Sequence, residues 1–241
     1  MIPRRPFWVR SAETASAMTQ MEQWSYRALK RDFPGYMGLF SAYVLTLDAG
    51  GWPHDVHAHV DEEILIPLSG AVDMVEHGSV RRLTSSDLVL HAPWHEHTHV
   101  GAPSGPAALL AFKWAAPGST GEGSSRQVEV ANLDLEETEA LRGIRRRRIW
   151  TRRPLTSGST MTVESVQLQP STGYPMHTHD HDLVLVVTAG QLVTFGVAIQ
   201  APAVIYYPAG TPHGGAAGSE PLRMIALDFH AAPAMPWLGA V

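Results

Sequence analysis

Two stretches of this 241-residue chain, 120 positions apart, follow one pattern. Residues 51–70 read GWPHDVHAHVDEEILIPLSG and residues 171–190 read STGYPMHTHDHDLVLVVTAG. His57 answers His177, His59 answers His179 and Gly70 answers Gly190. Solenoid repeats recur every ~20–50 residues, so a period this long means two copies of one domain rather than an array. The interval Ala116 to Arg126 (APGSTGEGSSR), Gly/Ser-rich and without an apolar pattern, lies near the middle and reads as a linker or exposed loop.

Within each copy, glycines and prolines bracket short segments rich in Val, Ile, Leu, Tyr and Thr, which is the signature of many short strands. The expected strands are Leu39 to Leu47, Glu63 to Leu68, Ala71 to Glu76, Asp87 to His91, Ala107 to Trp114, Thr160 to Gln167, Leu183 to Thr188, Gln191 to Val197, Ala203 to Tyr207 and Leu222 to Phe229. Asp134 to Ile144 (DLEETEALRGI), acidic at its start and basic toward its end, suits a helix dipole. A second helix around Glu13 to Tyr26 is conceivable, although its apolar spacing is poor. The expected class is all-β.

Histidine is the residue that carries the chemistry. Thirteen are present and no cysteine, which removes disulfides, thiolate zinc sites, iron–sulfur clusters and thiol nucleophiles. Eleven sit in or beside the repeated segments: His54, His57, His59, His91, His95, His97, His99, His177, His179, His181 and His213. Neutral imidazole is a common metal ligand. On a strand His57, His59 and Glu63 share one face, and a fourth ligand from a neighbouring strand would close a set with positions left for water or substrate.

These residues resemble the cupin superfamily. Its first motif, G-x5-H-x-H-x3–4-E-x6-G, is met by Gly51, His57, His59, Glu63 and Gly70. Its second, G-x5-P-x-G-x2-H-x3-N, is degenerate in the first half, where Ser86, Ala92, Trp94 and Gly101 stand in and His97 falls on the histidine. In the second half Pro208, Gly210 and His213 match its middle without substitution. The resemblance implies two antiparallel jelly-roll barrels in tandem with few short helices, a bicupin. The expected domains are 36–115 and 155–230, flanked by an N-terminal arm (1–35), a linker with a short helix and a basic segment (116–154) and a C-terminal tail (231–241).

By the same resemblance His57, His59, Glu63 and His97 would ligate one divalent transition metal, and His177, His179 and His213 a second. Iron(II) is favoured and Mn, Ni or Zn remain open, since imidazole suits all of them. Leu183 stands where Glu63 stands in the first copy, so the second site lacks that carboxylate; it is either the catalytic one, with one more open position, or a weakened one. His95 and His99 share the parity of His97 and read as residues around the ligands or at the rim. Trp52, Trp94, His95 and His181 are the expected walls of a substrate pocket. His77 and His230 read as surface groups, and His54 as a loop residue.

The function this implies is a metal-dependent enzyme acting on a small organic substrate, first an Fe(II)-type dioxygenase, an oxidoreductase. The alternatives are a non-redox isomerase, cyclase, decarboxylase or amidohydrolase, and then a cupin that binds a ligand without turnover. Six arginines in the run RRRRIWTRRP (Arg145 to Arg148, Arg152, Arg153) invite a nucleic-acid reading. A formal charge of −5 argues against a broad basic face. The run reads instead as an edge or interdomain strand pairing with the acidic helix before it, and an arginine reaching a pocket would hold a substrate carboxylate. No apolar run approaches the ~18–20 residues of a membrane span, and the basic start has no apolar core of a secretory signal behind it. A cytoplasmic homodimer, engaging neither nucleic acid nor membrane, is the expectation.

Overall fold

The computed structural model describes residues 8–11, 19–20, 24–30, 40–114, 128–133, 139–141, 143–155 and 160–230. Every regular element among them is a β-strand. One seven-stranded sheet runs in the order Val128–Asn132, Asp87–His91, Glu62–Ser69, Ala107–Trp114, Phe40–Leu47, Trp24–Lys30 and Thr19–Gln20. Its counterpart runs Trp8–Ser11, Ala203–Tyr207, Asp182–Ala189, Leu222–His230, Thr160–Leu168, Ile144–Pro154 and Glu139–Leu141. A smaller antiparallel sheet completes each half, from Ser79–Thr84, Ala71–Glu76 and Thr98–Gly101 in the first and from Gly173–His177, His213–Ala217, Gln191–Thr194 and Val197–Gln200 in the second. The result is two antiparallel jelly-roll barrels.

The large sheets are buried on both faces, which is why their central strands read as unbroken apolar runs rather than alternating ones. In Glu62–Ser69 the even positions Ile64 and Ile66 meet Val184, Val186, Phe112, Tyr206 and Phe229 in a core shared by both halves. The odd position Leu65 packs with Leu45, Val72, Leu83 and Val89 inside the first barrel. Leu183, Leu185, Leu192 and Ile199 fill the second barrel in the same way. Parity therefore decides the fate of adjacent acids: Glu62 points to the shared core and accepts a hydrogen bond from Trp114 Nε1 at 2.9 Å, while Glu63 points into the barrel.

The sheets also recruit strands from beyond the repeated segments. Trp8–Ser11, at the start of the chain, pairs with Ala203–Tyr207 of the second half, and Val128–Asn132 pairs with Asp87–His91 of the first. Three expectations are corrected. In the helix expected over Asp134 to Ile144 the described residues are extended: Glu139–Leu141 is a strand in antiparallel register with the arginine-rich strand, Glu139 opposite Arg146, and Gly143 at φ +82 turns the chain between them, while 134–138 lie outside the described residues. An acid-to-base charge order suits a helix dipole and an antiparallel acid–base register equally well. Within the helix expected around Glu13 to Tyr26 the described residues belong instead to the strands Thr19–Gln20 and Trp24–Lys30, the latter paired with Phe40–Leu47.

The single strand Gln191 to Val197 is two strands, because Phe195 and Gly196 (φ +48 and +71) form a tight turn. His77 and Gly78 (φ +46 and +78) do the same between Ala71–Glu76 and Ser79–Thr84. Paired positive φ angles with glycine second are the chemistry of two-residue hairpin turns. The linker Ala116 to Arg126 lies outside the described residues. No helix among the described residues is long and apolar enough to cross a membrane.

Candidate metal centres and the C-terminal cavity

In the N-terminal barrel a bridge between His57 and His97, with backbone N–H to O distances of 3.1 and 3.0 Å, brings the first histidine motif to the second. Trp94 N donates to His59 O at 2.8 Å, and Gly210 N donates to His179 O at the same distance in the other half. The position needs a left-handed backbone: Gly210 has φ +76 and Trp94, standing where the motif has glycine, adopts φ +63. The degenerate motif thus keeps the geometry of the intact one.

Each ring is turned by a backbone carbonyl. Nδ1 of His57 lies 3.1 Å from His97 O, that of His59 3.1 Å from Asp61 O, and that of His97 2.8 Å from His95 O. A carbonyl only accepts, so Nδ1 carries the hydrogen and Nε2 presents its lone pair. Ligand atoms of the three histidines lie within 4.8 Å of one another. Glu63 Oε2 stands 3.1 Å from His97 Nε2 and 3.4 Å from His59 Nε2. Lone pairs that face a carboxylate at this range repel unless a cation lies among them, and ligands ~2.0–2.2 Å from one metal stand about this far apart. The donor set fits a divalent metal.

Glu63 Oε1 faces Lys113 Nζ at 3.3 Å. Burial alone would push the Glu63 carboxyl up, but the Lys113 ammonium leads the influences that oppose it, and the group is held well below the usual carboxylate range. His91, fully buried, has Nδ1 3.4 Å from Glu63 Oε2 and Nε2 3.1 Å from Met74 Sδ. Burial lowers His91 to about 4 and also lowers His57 to about 4, the latter helped by His54 and His97. Both rings are neutral at pH 7.

In the C-terminal barrel His177 directs Nδ1 to Pro175 O and His213 to Thr211 O, both at 3.0 Å. His213 Nε2 is buried without a hydrogen-bond partner, an orphan that a metal ion would satisfy. Ligand atoms of His177, His179 and His213 again lie within 4.8 Å of one another. Here Leu183 takes the place of Glu63, and its partner in register is Asp228, whereas the partner of Glu63 is Lys113. The carboxylate has crossed to the neighbouring strand. Asp228 Oδ1 lies 3.2 Å from His179 Nδ1 and 2.9 Å from His181 Nε2, behind the ligand rather than beside it. Burial raises the Asp228 carboxyl, and the two histidines more than offset that and lower it.

The three histidines stand at a cavity of about 370 Å³. Its wall includes Leu183, Leu185, Val166, Met224, Tyr174 and Ala226, and its charged members are Arg146, Glu164 and Asp228. None of the expected pocket walls lines it. Trp52 is exposed, His95 is buried against Glu76 at 2.9 Å, Trp94 packs beside the first cluster with a buried indole N–H, and His181 is held by Asp228 and Asp180. His99 is buried rather than at a rim. Sequence reading missed Asp228, Glu164, Lys113 and His91 as members of the sites. One signal was legible: Met224, Ala226 and Asp228 alternate along an expected strand, so an acid occupies an inward position.

No protein-family model matches the chain, and no curated protein matches its sequence. Solved structures do match its fold. Protein YlbA from E. coli is 17% identical with a TM-score of 0.71, covering 95% of this chain and 92% of that one. A bacterial pirin from Escherichia coli in complex with nickel(II) is 14% identical with a TM-score of 0.70, covering 94% and 100%. A mutant of Bacillus subtilis oxalate decarboxylase is 15% identical with a TM-score of 0.66, covering 94% and 78%. The chain thus shares the fold of these proteins, two antiparallel jelly-roll barrels in tandem, with its histidine motifs at matching places in both halves.

Proposed function

We propose that this protein is a bicupin and a metal-dependent enzyme that converts a small organic molecule in the cavity of the C-terminal barrel. One observation carries the reading: three imidazoles whose Nδ1 atoms are all engaged turn toward a cavity of about 370 Å³, and the fourth position of the motif is apolar Leu183. A divalent transition metal held by His177, His179 and His213 would supply Lewis acidity and, as iron(II), a place for O2 beside the substrate. The protein's own share is positioning. Asp228 fixes the tautomer of His179 and raises its basicity, and Leu183, Leu185, Val166 and Met224 exclude water from the reacting face.

Dioxygenation is the first reading, because a divalent metal held by the three neutral imidazoles His177, His179 and His213 would supply redox chemistry at the cavity where a small substrate fits. Non-redox isomerisation or decarboxylation is the second, favoured by Asp228, a carboxylate on the cavity wall hydrogen-bonded to His181, a pair that could pass a proton. The N-terminal set of His57, His59, Glu63 and His97 would hold a second metal in a more closed site. The test is native metal content together with substrate-dependent O2 uptake on a panel of small organic acids and phenols. Iron with O2 uptake that disappears in His177→Ala supports dioxygenation. Zinc with turnover unchanged under nitrogen overturns it in favour of the second reading.

A further inference from the structure

The arginine run is split by strand parity. In Ile144–Pro154, Ile144 packs into the interior of the second barrel, and Arg146 and Arg148 share its face, while Arg147 on the other face donates to the backbone carbonyl of Asn132. Arg146 and Arg148 both bind Glu164. Arg146 donates Nε and Nη2 to Oε2, and Arg148 donates Nε at 3.1 Å and Nη2 at 3.0 Å to Oε1. The Glu164 side chain is only 7% exposed, while those of Arg146 and Arg148 are 54% and 60% exposed.

The single charge of Glu164 is shared between two guanidiniums, so neither is fully neutralised by it. Arg146 is the member that lines the cavity. Two of its five N–H groups are spent on Glu164, leaving three for another acceptor. The other carboxylate of the cavity, Asp228, is committed to His179 and His181. Leu185, Val166 and Met224 contribute apolar wall to the same cavity that holds the histidine set. A cation, an apolar surface and a donor cluster in one cavity define the shape of a guest.

We infer that the C-terminal cavity receives a small carboxylate with an apolar body, and that Arg146 is the side chain that takes its carboxylate. The inference rests on the reading of this cavity as the reaction chamber and names its substrate class. The planar guanidinium fork matches a carboxylate in two parallel hydrogen bonds, and a cavity near the lower end of the ~300–1,000 Å³ range for ligand sites limits the guest to a small one.

Benzoate and its neutral isostere benzamide are suitable probes, titrated calorimetrically into the protein before and after loading with nickel(II). Benzoate is expected to bind roughly tenfold or more tightly than benzamide to the metal-free protein, the scale of a charged hydrogen bond. Arg146→Gln should abolish that preference, Arg146→Lys should retain part of it, and both should load nickel as the parent does. Equal binding of the two probes, or an unchanged preference in Arg146→Gln, overturns the inference while leaving metal loading intact. A preference that depends on Arg146 in a protein that takes no nickel at His177, His179 and His213 supports the anion site and removes the metal reading instead.

Discussion

In the N-terminal barrel the carboxylate Glu63 faces the Nε2 atoms of His59 and His97, with Lys113 opposite it in register. In the C-terminal barrel that place is Leu183, and the carboxylate comes from the opposite strand as Asp228, reaching His179 from its Nδ1 side. Two copies of one fold thus offer a metal two different environments. The first is an anionic set already balanced by an ammonium and enclosed by buried histidines. The second is a neutral set with its carboxylate behind a ligand and a cavity in front. The two register pairs, Glu63 with Lys113 and Leu183 with Asp228, put the acid on different strands of the same fold.

The largest effect that tests this contrast is loss of metal. His177→Ala with His179→Ala should empty the C-terminal set and abolish turnover, whereas His57→Ala with His59→Ala should empty the N-terminal set and leave measurable turnover. Metal analysis paired with activity reads both, and turnover lost only in the N-terminal pair would reverse the assignment. Next in size is the shared core. Phe112 and Phe229, one from each half, lie in it with ring centroids 6.4 Å apart, so truncating either to alanine should cost about 3–5 kcal/mol. Urea unfolding should show both barrels failing in one transition; two separate transitions would mean that the halves are independent.

A smaller effect is expected from Asp228→Asn, which keeps the shape but weakens the hold on His179. Metal affinity of the C-terminal set should fall about 10–100-fold while that of the N-terminal set is unchanged. An equal loss at both sites would deny Asp228 its local role. Smallest is the response to acid in metal-free protein. His57 and His91 are lowered to about 4 in the folded state, against ~6.5 unfolded. Between those values the unfolded chain binds more protons, so stability present above pH ~6.5 should drain away as pH falls toward 4. Urea midpoints measured across that window should decline, and His91→Gln should flatten the slope; a flat profile in the parent would show that these rings are not held neutral by burial.

Much of this was legible beforehand because periodicity and spacing are local. The period between His57 and His177 revealed the duplication, and motif spacing picked out Glu63, although His57 and His59 precede the strand Glu62–Ser69 rather than sharing it. Local patterns also misled where two structures satisfy one pattern, as at Glu139–Leu141, whose charge order suits a helix but whose chain turns back at Gly143. The C-terminal cavity was not legible in the same way, because it is lined by strands that converge from far apart along the chain.

By itself the sequence determined that this chain makes two copies of a β-barrel with histidines at matching positions. Motif spacing and the absence of cysteine depend only on residues close along the chain. Only the tertiary structure decided which strands lie opposite one another, and so that Lys113 answers Glu63 while Asp228 answers Leu183. Register between distant strands is set by how both faces of each sheet are buried, which no single segment encodes. The same packing decided that the first strand, Trp8–Ser11, completes the sheet of the second half, and that Arg146 looks into its cavity.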